Sequence, residues 1–230
     1  MRRPIPFLVV GILFFLCSQA DARLDWESRR IKLKAGPTDS RVSADFKFKN
    51  SGKTTVLIKS VKADCSCTVP NLEKKEYLPG EKGKITATFT IGQRLGLQKK
   101  EIAVETDDPK NPMTVLTLET DIPQLLEITP SLLFWETGQV PSAKTVDIRV
   151  LTRLPIRVVS VSSEESLIVP HLITVRDGRR YKLEVRPSDV STPIRGFITI
   201  KTDFPPENPR LFYVNAFVKP EASRDSLHKE

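Results

Sequence analysis

Val61-Lys62-Ala63-Asp64-Cys65-Ser66-Cys67-Thr68-Val69-Pro70 is the stretch from which the fold is read, because a version of it without cysteines returns one hundred residues later. Ile156-Arg157-Val158-Val159-Ser160-Val161 leads to Val169-Pro170 as Val56–Val61 leads to Val69-Pro70. Further along, Glu105-Thr106-Asp107 matches Lys201-Thr202-Asp203, and Asn111-Pro112 matches Asn208-Pro209. Two copies of one unit of about 90–100 residues follow, a size that suits an immunoglobulin-like sandwich.

Around the motif the chain alternates apolar and polar residues with period two, the pattern of half-buried strands. Val42–Lys49, Thr55–Val61, Lys84–Thr90, Lys100–Thr106 and Met113–Thr120 are read as strands, with a further one at Arg30–Lys34. Turns fall at Gly36-Pro37, Asn50–Lys53, Leu78–Gly83, Gly92–Gly96 and Asp107–Pro112, where glycine, proline, asparagine and aspartate punctuate the chain. Eighteen prolines against ten glycines in 230 residues argue against long helices. The predicted class is all-β: two tandem immunoglobulin-like antiparallel sandwiches, at 23–122 and 123–219, joined through Asp121–Gln124. A polar tail at 220–230 has little to bury and is expected to be disordered.

The N-terminus reads as an export signal over residues 1–22. Arg2 and Arg3 precede an apolar run from Ile5 to Leu16, and Ala20-Asp21-Ala22 supplies the small-residue cleavage site. The run is shorter than the roughly 20 residues of a membrane-spanning helix. Leu16 is not the small residue that lipidation at Cys17 requires. Cleavage after Ala22 removes Arg2, Arg3 and Asp21 and takes the net charge from +8 to +7. No later segment is long and apolar enough to span a membrane, so the mature chain is expected to be periplasmic or extracellular, without a transmembrane segment.

Cys65 and Cys67 are the binding or redox candidates. In an oxidising compartment a bridge is the default, yet residues i and i+2 of a strand stand roughly 6.5–7 Å apart, while bridged Cβ atoms stand about 3.8 Å apart. A bridge therefore requires a turn or bulge at Cys65–Cys67. Three readings stay open: a structural pair, as two thiols or a local disulfide; a Cu(I) site, which thiolates favour; and a redox-active or partner-linking thiol. Lys59 and Lys62 favour the thiolate and Asp64 opposes it. Zinc fits less well, since four ligands are usual and the first half has no histidine.

The string Asp64–Pro70, then Leu78-Pro79-Gly80-Glu81, then Gly83–Phe89, then Thr106–Pro112 resembles a bacterial family of secreted proteins of unknown function. Its pattern runs Cys-Gly/Ser-Cys-Thr, Pro-Gly-Glu, an Ile/Val-x-Val-x-Phe strand and Ser/Thr-Asn/Asp-Asp-Pro…Asn-Pro. The resemblance covers about residues 40–121. It implies an immunoglobulin-like sandwich related to hydin-like (ASH) and major-sperm-protein modules, and it brings no catalytic residues with it. The chain departs from the pattern at Ser66, where glycine is commoner, and the second half carries Glu165 and Leu167 at the cysteine positions.

Signals of catalysis are absent from the sequence. There is no Gly-x-Ser-x-Gly elbow to serve His171 and no phosphate-cradling glycine loop; His228 lies in the tail. Asp107-Asp108 beside Pro109 reads as a turn rather than a calcium site. Positive charge is spread over Lys74-Lys75, Lys99-Lys100 and Arg179-Arg180, and no nucleic-acid recognition module accompanies it. The sequence therefore predicts a non-enzymatic exported protein, without cofactor, that binds a protein or a cell-envelope component, by strand edges or by its basic surface. The alternatives are a two-domain periplasmic chaperone and a copper- or thiol-handling protein built on Cys65 and Cys67.

Overall fold

The computed structural model describes residues 22–220. The predicted signal peptide, but for Ala22, and the tail beyond Pro220 lie outside the described residues. No described segment is helical, and the described residues form a run of seventeen strands. The first half comprises β1 (Leu24–Trp26), β2 (Arg30–Lys34), β3 (Arg41–Asn50), β4 (Val56–Ala63), β5 (Thr68–Leu72), β6 (Glu76–Tyr77), β7 (Lys82–Thr90), β8 (Gly96–Thr106) and β9 (Met113–Ile122). The second comprises β10 (Leu126–Thr129), β11 (Leu132–Glu136), β12 (Lys144–Val150), β13 (Val158–Ser163), β14 (Ile168–Arg176), β15 (Arg180–Pro187), β16 (Ile194–Thr202) and β17 (Leu211–Lys219).

In the first half, β1-β3-β7-β5 faces β2-β9-β8-β4-β6; in the second, β10-β12-β15-β14 faces β11-β17-β16-β13. The strand order is the same apart from β6. The alternation that predicted strands also sorts the faces: in β3, Ala44, Phe46 and Phe48 are buried while Asp45, Lys47 and Lys49 are exposed. One core is built on Phe46, Ile58, Ile85, Phe89, Ile102 and Leu118, the other on Trp135, Ile148, Leu183, Ile198, Val214 and Val218. At about 25 cal/mol per Å² of apolar surface buried, the fold rests on these inward rows.

The expectation of purely antiparallel sheets is corrected at two places. β2 pairs parallel to β9, and β11 pairs parallel to β17. Each of these short strands is followed at once by a strand of the facing sheet, so the chain crosses over the sandwich instead of folding back as a hairpin. Gly83, read as part of a turn, stands instead inside β7, where an added Cβ would come within 2.3 Å of the Tyr77 ring and 2.5 Å of Phe48. The turn itself is made at Gly80, with φ +80°.

The matched Thr-Asp pairs have one physical role. Asp107 Oδ1 accepts the Leu57 N–H at 2.9 Å, and Asp203 Oδ1 accepts the Arg157 N–H at 2.8 Å. Each aspartate so holds the lead-in of β4 or β13, and each of those strands bulges just beyond, at Ile58/Ser60 and Val158/Ser160. Thr106 and Thr202 are buried, and both hydroxyls donate to carbonyls of the loop that follows.

Candidate functional sites: the disulfide turn and the aromatic sheet face

β4 ends at Ala63, and Asp64–Cys67 turns the chain from one sheet into the other, where β5 begins. The turn brings the Cα atoms of Cys65 and Cys67 to 5.2 Å, closer than an extended strand allows, and the two sulfurs are bonded to each other. Cys65 and Cys67 therefore form a disulfide here. Both cysteines are partly exposed, and Cys67 packs against the first core. The buried Thr68 hydroxyl lies 3.7 Å from Cys65 Sγ and 4.0 Å from Cys67 Sγ. A disulfide sulfur carries no hydrogen, so the hydroxyl is the donor. Thr68 N–H bonds back to the Cys65 carbonyl at 3.2 Å, as Ile168 N–H does to Glu165 at 3.0 Å. The turn therefore forms in the second half without cysteines, and the bridge reinforces a geometry the backbone makes by itself.

Strand edges, expected as binding surfaces, are blunted beside this turn. Thr90 N–H donates to the Cys67 carbonyl and Ser188 N–H to Leu167. Antiparallel alternation then turns the backbone groups of residues 68 and 70, and of 168 and 170, away from the sheet. The outward donors at Thr68 and Ile168 are spent on the turn, while Pro70 and Pro170 have none. The prolines that mark the sequence match thus protect the free edges of β5 and β14.

The two aspartates of the Asp107-Asp108 pair have structural roles. Asp108 Oδ1 accepts the Lys110 N–H at 2.8 Å and braces its own turn, while Asp107 ties that turn to β4. His171 is exposed on β14, opposite Glu184.

The sequence reading missed the outer face of β11-β17-β16-β13. Phe134, Phe197, Tyr213 and Phe217 stand on its solvent side; Phe134 is 45% and Tyr213 47% exposed. Phe134 is directly opposite Phe217, and the Phe197 and Tyr213 rings meet edge-on at 5.7 Å. Equal register positions on the first half's outer face are Lys32, Glu101, Val115 and Glu119. There Glu119 pairs with Arg30 and Lys32, and Lys99 with Glu101. Cations dominate the rim of the aromatic face: Lys219 Nζ is 4.4 Å and Lys144 Nζ 5.2 Å from the Phe134 ring centre, with Arg195 and Lys201 exposed on β16. Glu136 on β11 and Glu164 beside Phe197 and Tyr213 are its acidic members. The signal was available in the alternate positions of β16 and β17, but in β17 both rows carry aromatics, Phe212 inside and Tyr213 and Phe217 outside, and alternation alone does not say which row is the inner one.

Residues 24–122 match the family described as "Protein of unknown function (DUF1573)". No curated protein matches the chain. Among solved structures, it is similar to a protein of unknown function from Porphyromonas gingivalis W83, with 12% identity, 84% of this chain and 98% of that one covered and a TM-score of 0.33. It is also similar to the YadV chaperone, with 11% identity, 85% and 99% covered and a TM-score of 0.34. A third is the ASH/PapD-like domain 7 of human CEP192, with 10% identity, 52% and 99% covered and a TM-score of 0.37. Likenesses this distant carry no functional argument. The family match begins at the first residue of β1 and ends at the last residue of β9, so the similarity is that of the first sandwich, and the aromatic face lies outside it.

Proposed function

We propose that this chain is an exported, non-catalytic binding protein that holds another protein against the outer face of β11-β17-β16-β13. The observation that carries this is the register comparison: three of the four aromatic positions are charged in the first half, on the same backbone plan. Aromatic side chains left facing water forgo burial that a partner surface would supply, and aromatic clusters of this kind dominate protein interfaces. On the rim Arg195, Lys201, Lys144 and Lys219 outweigh Glu136 and Glu164, which favours a partner whose apolar patch is bordered mainly by acidic groups. Export is supported by the basic and apolar leader with its Ala-x-Ala end, and by a disulfide suited to an oxidising compartment. The double variant Phe197→Ser/Tyr213→Ser is expected to fold and to lose its partner in a binding assay on the mature protein. Retained binding would remove the reading.

A thiol-handling role remains as the second reading, favoured by the partial exposure of the bridge. Bridged sulfurs offer no thiolate to Cu(I), so copper chemistry here would have to begin with reduction. A thiol titration with and without mild reductant decides it: no thiol in either case excludes both copper and redox roles. The chaperone alternative predicts loss of an envelope subunit on deletion of the gene, and the proline-blunted edges weigh against strand donation at β5 and β14.

A further inference from the structure

Arg210 closes the loop between β16 and β17 and is 2% exposed. Its backbone is fixed: Arg210 N–H donates to the Phe204 carbonyl at 2.9 Å, and its own carbonyl accepts the Thr202 hydroxyl at 3.0 Å. The side chain is another matter. None of the three guanidinium nitrogens has a hydrogen-bond partner among the described residues. A buried guanidinium without counter-charge is among the costliest arrangements a fold can hold, and burial here pushes its pKa below the usual arginine range. Met113, which follows the matching Asn111-Pro112 in the first half, is 62% exposed, so the loop plan does not itself demand burial at this point.

Arg210 lines a cleft of about 290 Å³ where the two sandwiches meet. Thr38, Asp39, Ser40 and Gly92 come from the first half, and the loop from Pro205 to Asn208 from the second. The walls are held together beside the cleft. Leu211 N–H donates to Gln93 Oε1 at 2.9 Å, and Leu95 packs against both cores. The three guanidinium nitrogens are themselves covered, so a ligand must displace part of the cleft wall to reach them. Once reached, the guanidinium presents a planar fork of donors that matches a carboxylate or phosphate in two parallel bonds. Asp39 and Glu207 flank the cleft and would repel a dianion more strongly than a monoanion. Thr38, Ser40 and Asn208 add neutral donors.

We propose that this cleft is a binding site for a carboxylate group, taken by the Arg210 guanidinium and contributed either by a small free acid or by the end of a peptide. The site is independent of the aromatic face, which lies on a different surface, and either can fail without the other.

The test follows the Arg210 Nε–Hε resonance of the ¹⁵N-labelled mature protein, assigned by its loss in Arg210→Met and Arg210→Lys. Titration with sodium acetate, with N-acetylglycylglycine and with its C-terminal amide is compared with sodium chloride and sodium phosphate at equal ionic strength. The expected result is a saturable shift with acetate and with the free-acid peptide. The amide and chloride are expected to give none, and phosphate a weaker response. Acetate acting at least as strongly as the peptide assigns the site to small acids; a stronger peptide assigns it to chain ends. Glu207→Gln removes one flanking charge at an exposed position and is expected to tighten acetate binding roughly 2–5-fold at low salt. This second variant keeps the proposal testable if the substitutions at Arg210 do not fold. No saturable shift, an equal response to chloride, or a phosphate response stronger than acetate with Glu207→Gln without effect would overturn it.

Discussion

Cys65 and Cys67 close a loop with one residue between them, so the bridge restricts only a short piece of the unfolded chain. By loop-closure entropy it contributes roughly 1–2 kcal/mol, against the 2–5 kcal/mol typical of native bridges in small secreted domains. Replacing both by serine is expected to lower stability by that amount in urea denaturation while leaving a folded protein, because Glu165–Leu167 makes the same turn without sulfur. The cysteine spacing was legible as a condition, that a bridge needs a turn, and Ala63 ends its strand in time to meet it. Arg210 was not legible at all. An arginine beside a proline in a loop reads as solvated, and its burial at the cleft between the halves is a tertiary outcome that no local pattern carries. A third residue-scale effect is Asp45, whose carboxyl the Thr86 hydroxyl at 2.6 Å, and secondarily Lys84 at 2.9 Å, hold below the usual carboxylate range. A depressed folded pKa contributes stability that is present above the unfolded value near 3.8 and is lost as pH falls through the folded value. Thr86→Val is therefore expected to raise the Asp45 pKa toward 3.8, read by NMR titration, with the loss on acidification beginning at higher pH.

At the scale of elements, period-two alternation located most first-half strands to within a few residues, and Arg30–Lys34 coincides with β2. It did not give pairing. The parallel partnerships of β2 with β9 and β11 with β17 join strands far apart in the chain, and nothing local in Arg30–Lys34 encodes its neighbour. Alternation does not reveal β1, β5 or β6 as strands: two or three residues are too few for it to register in β1 and β6, and in β5 Pro70 interrupts the pattern. The repeated prolines were legible as a match and became explicable only once β5 and β14 proved to be edges. Pro70→Val/Pro170→Val restores an outward N–H on each edge, and the variant is expected to self-associate in sedimentation velocity where the wild type does not. Unchanged sedimentation would mean that the prolines serve the turn alone.

Across the whole molecule, one plan is used twice with different surfaces. The inner rows are interchangeable in kind, aliphatic and aromatic in both halves, while the outer rows diverge from ion-paired charge to aromatic rings. Divergence on an exposed face with a common core is what a binding role produces, since packing constrains the inside and partners constrain the outside. Leu95 and the Gln93–Leu211 hydrogen bond join the halves beside the carboxylate cleft, so that site exists only in the tandem arrangement. The most direct measurement is site-specific photocrosslinking in the exporting cell, with a photoreactive phenylalanine at Phe197 and, as control, at the equivalent Glu101. A discrete crosslinked partner is expected from 197 and none from 101, with the crosslink lost when Arg195 and Lys201 are changed to glutamate and the captured segment bordered by acidic residues. Equal capture from both faces, none from 197, or capture that survives the charge reversal would contradict it.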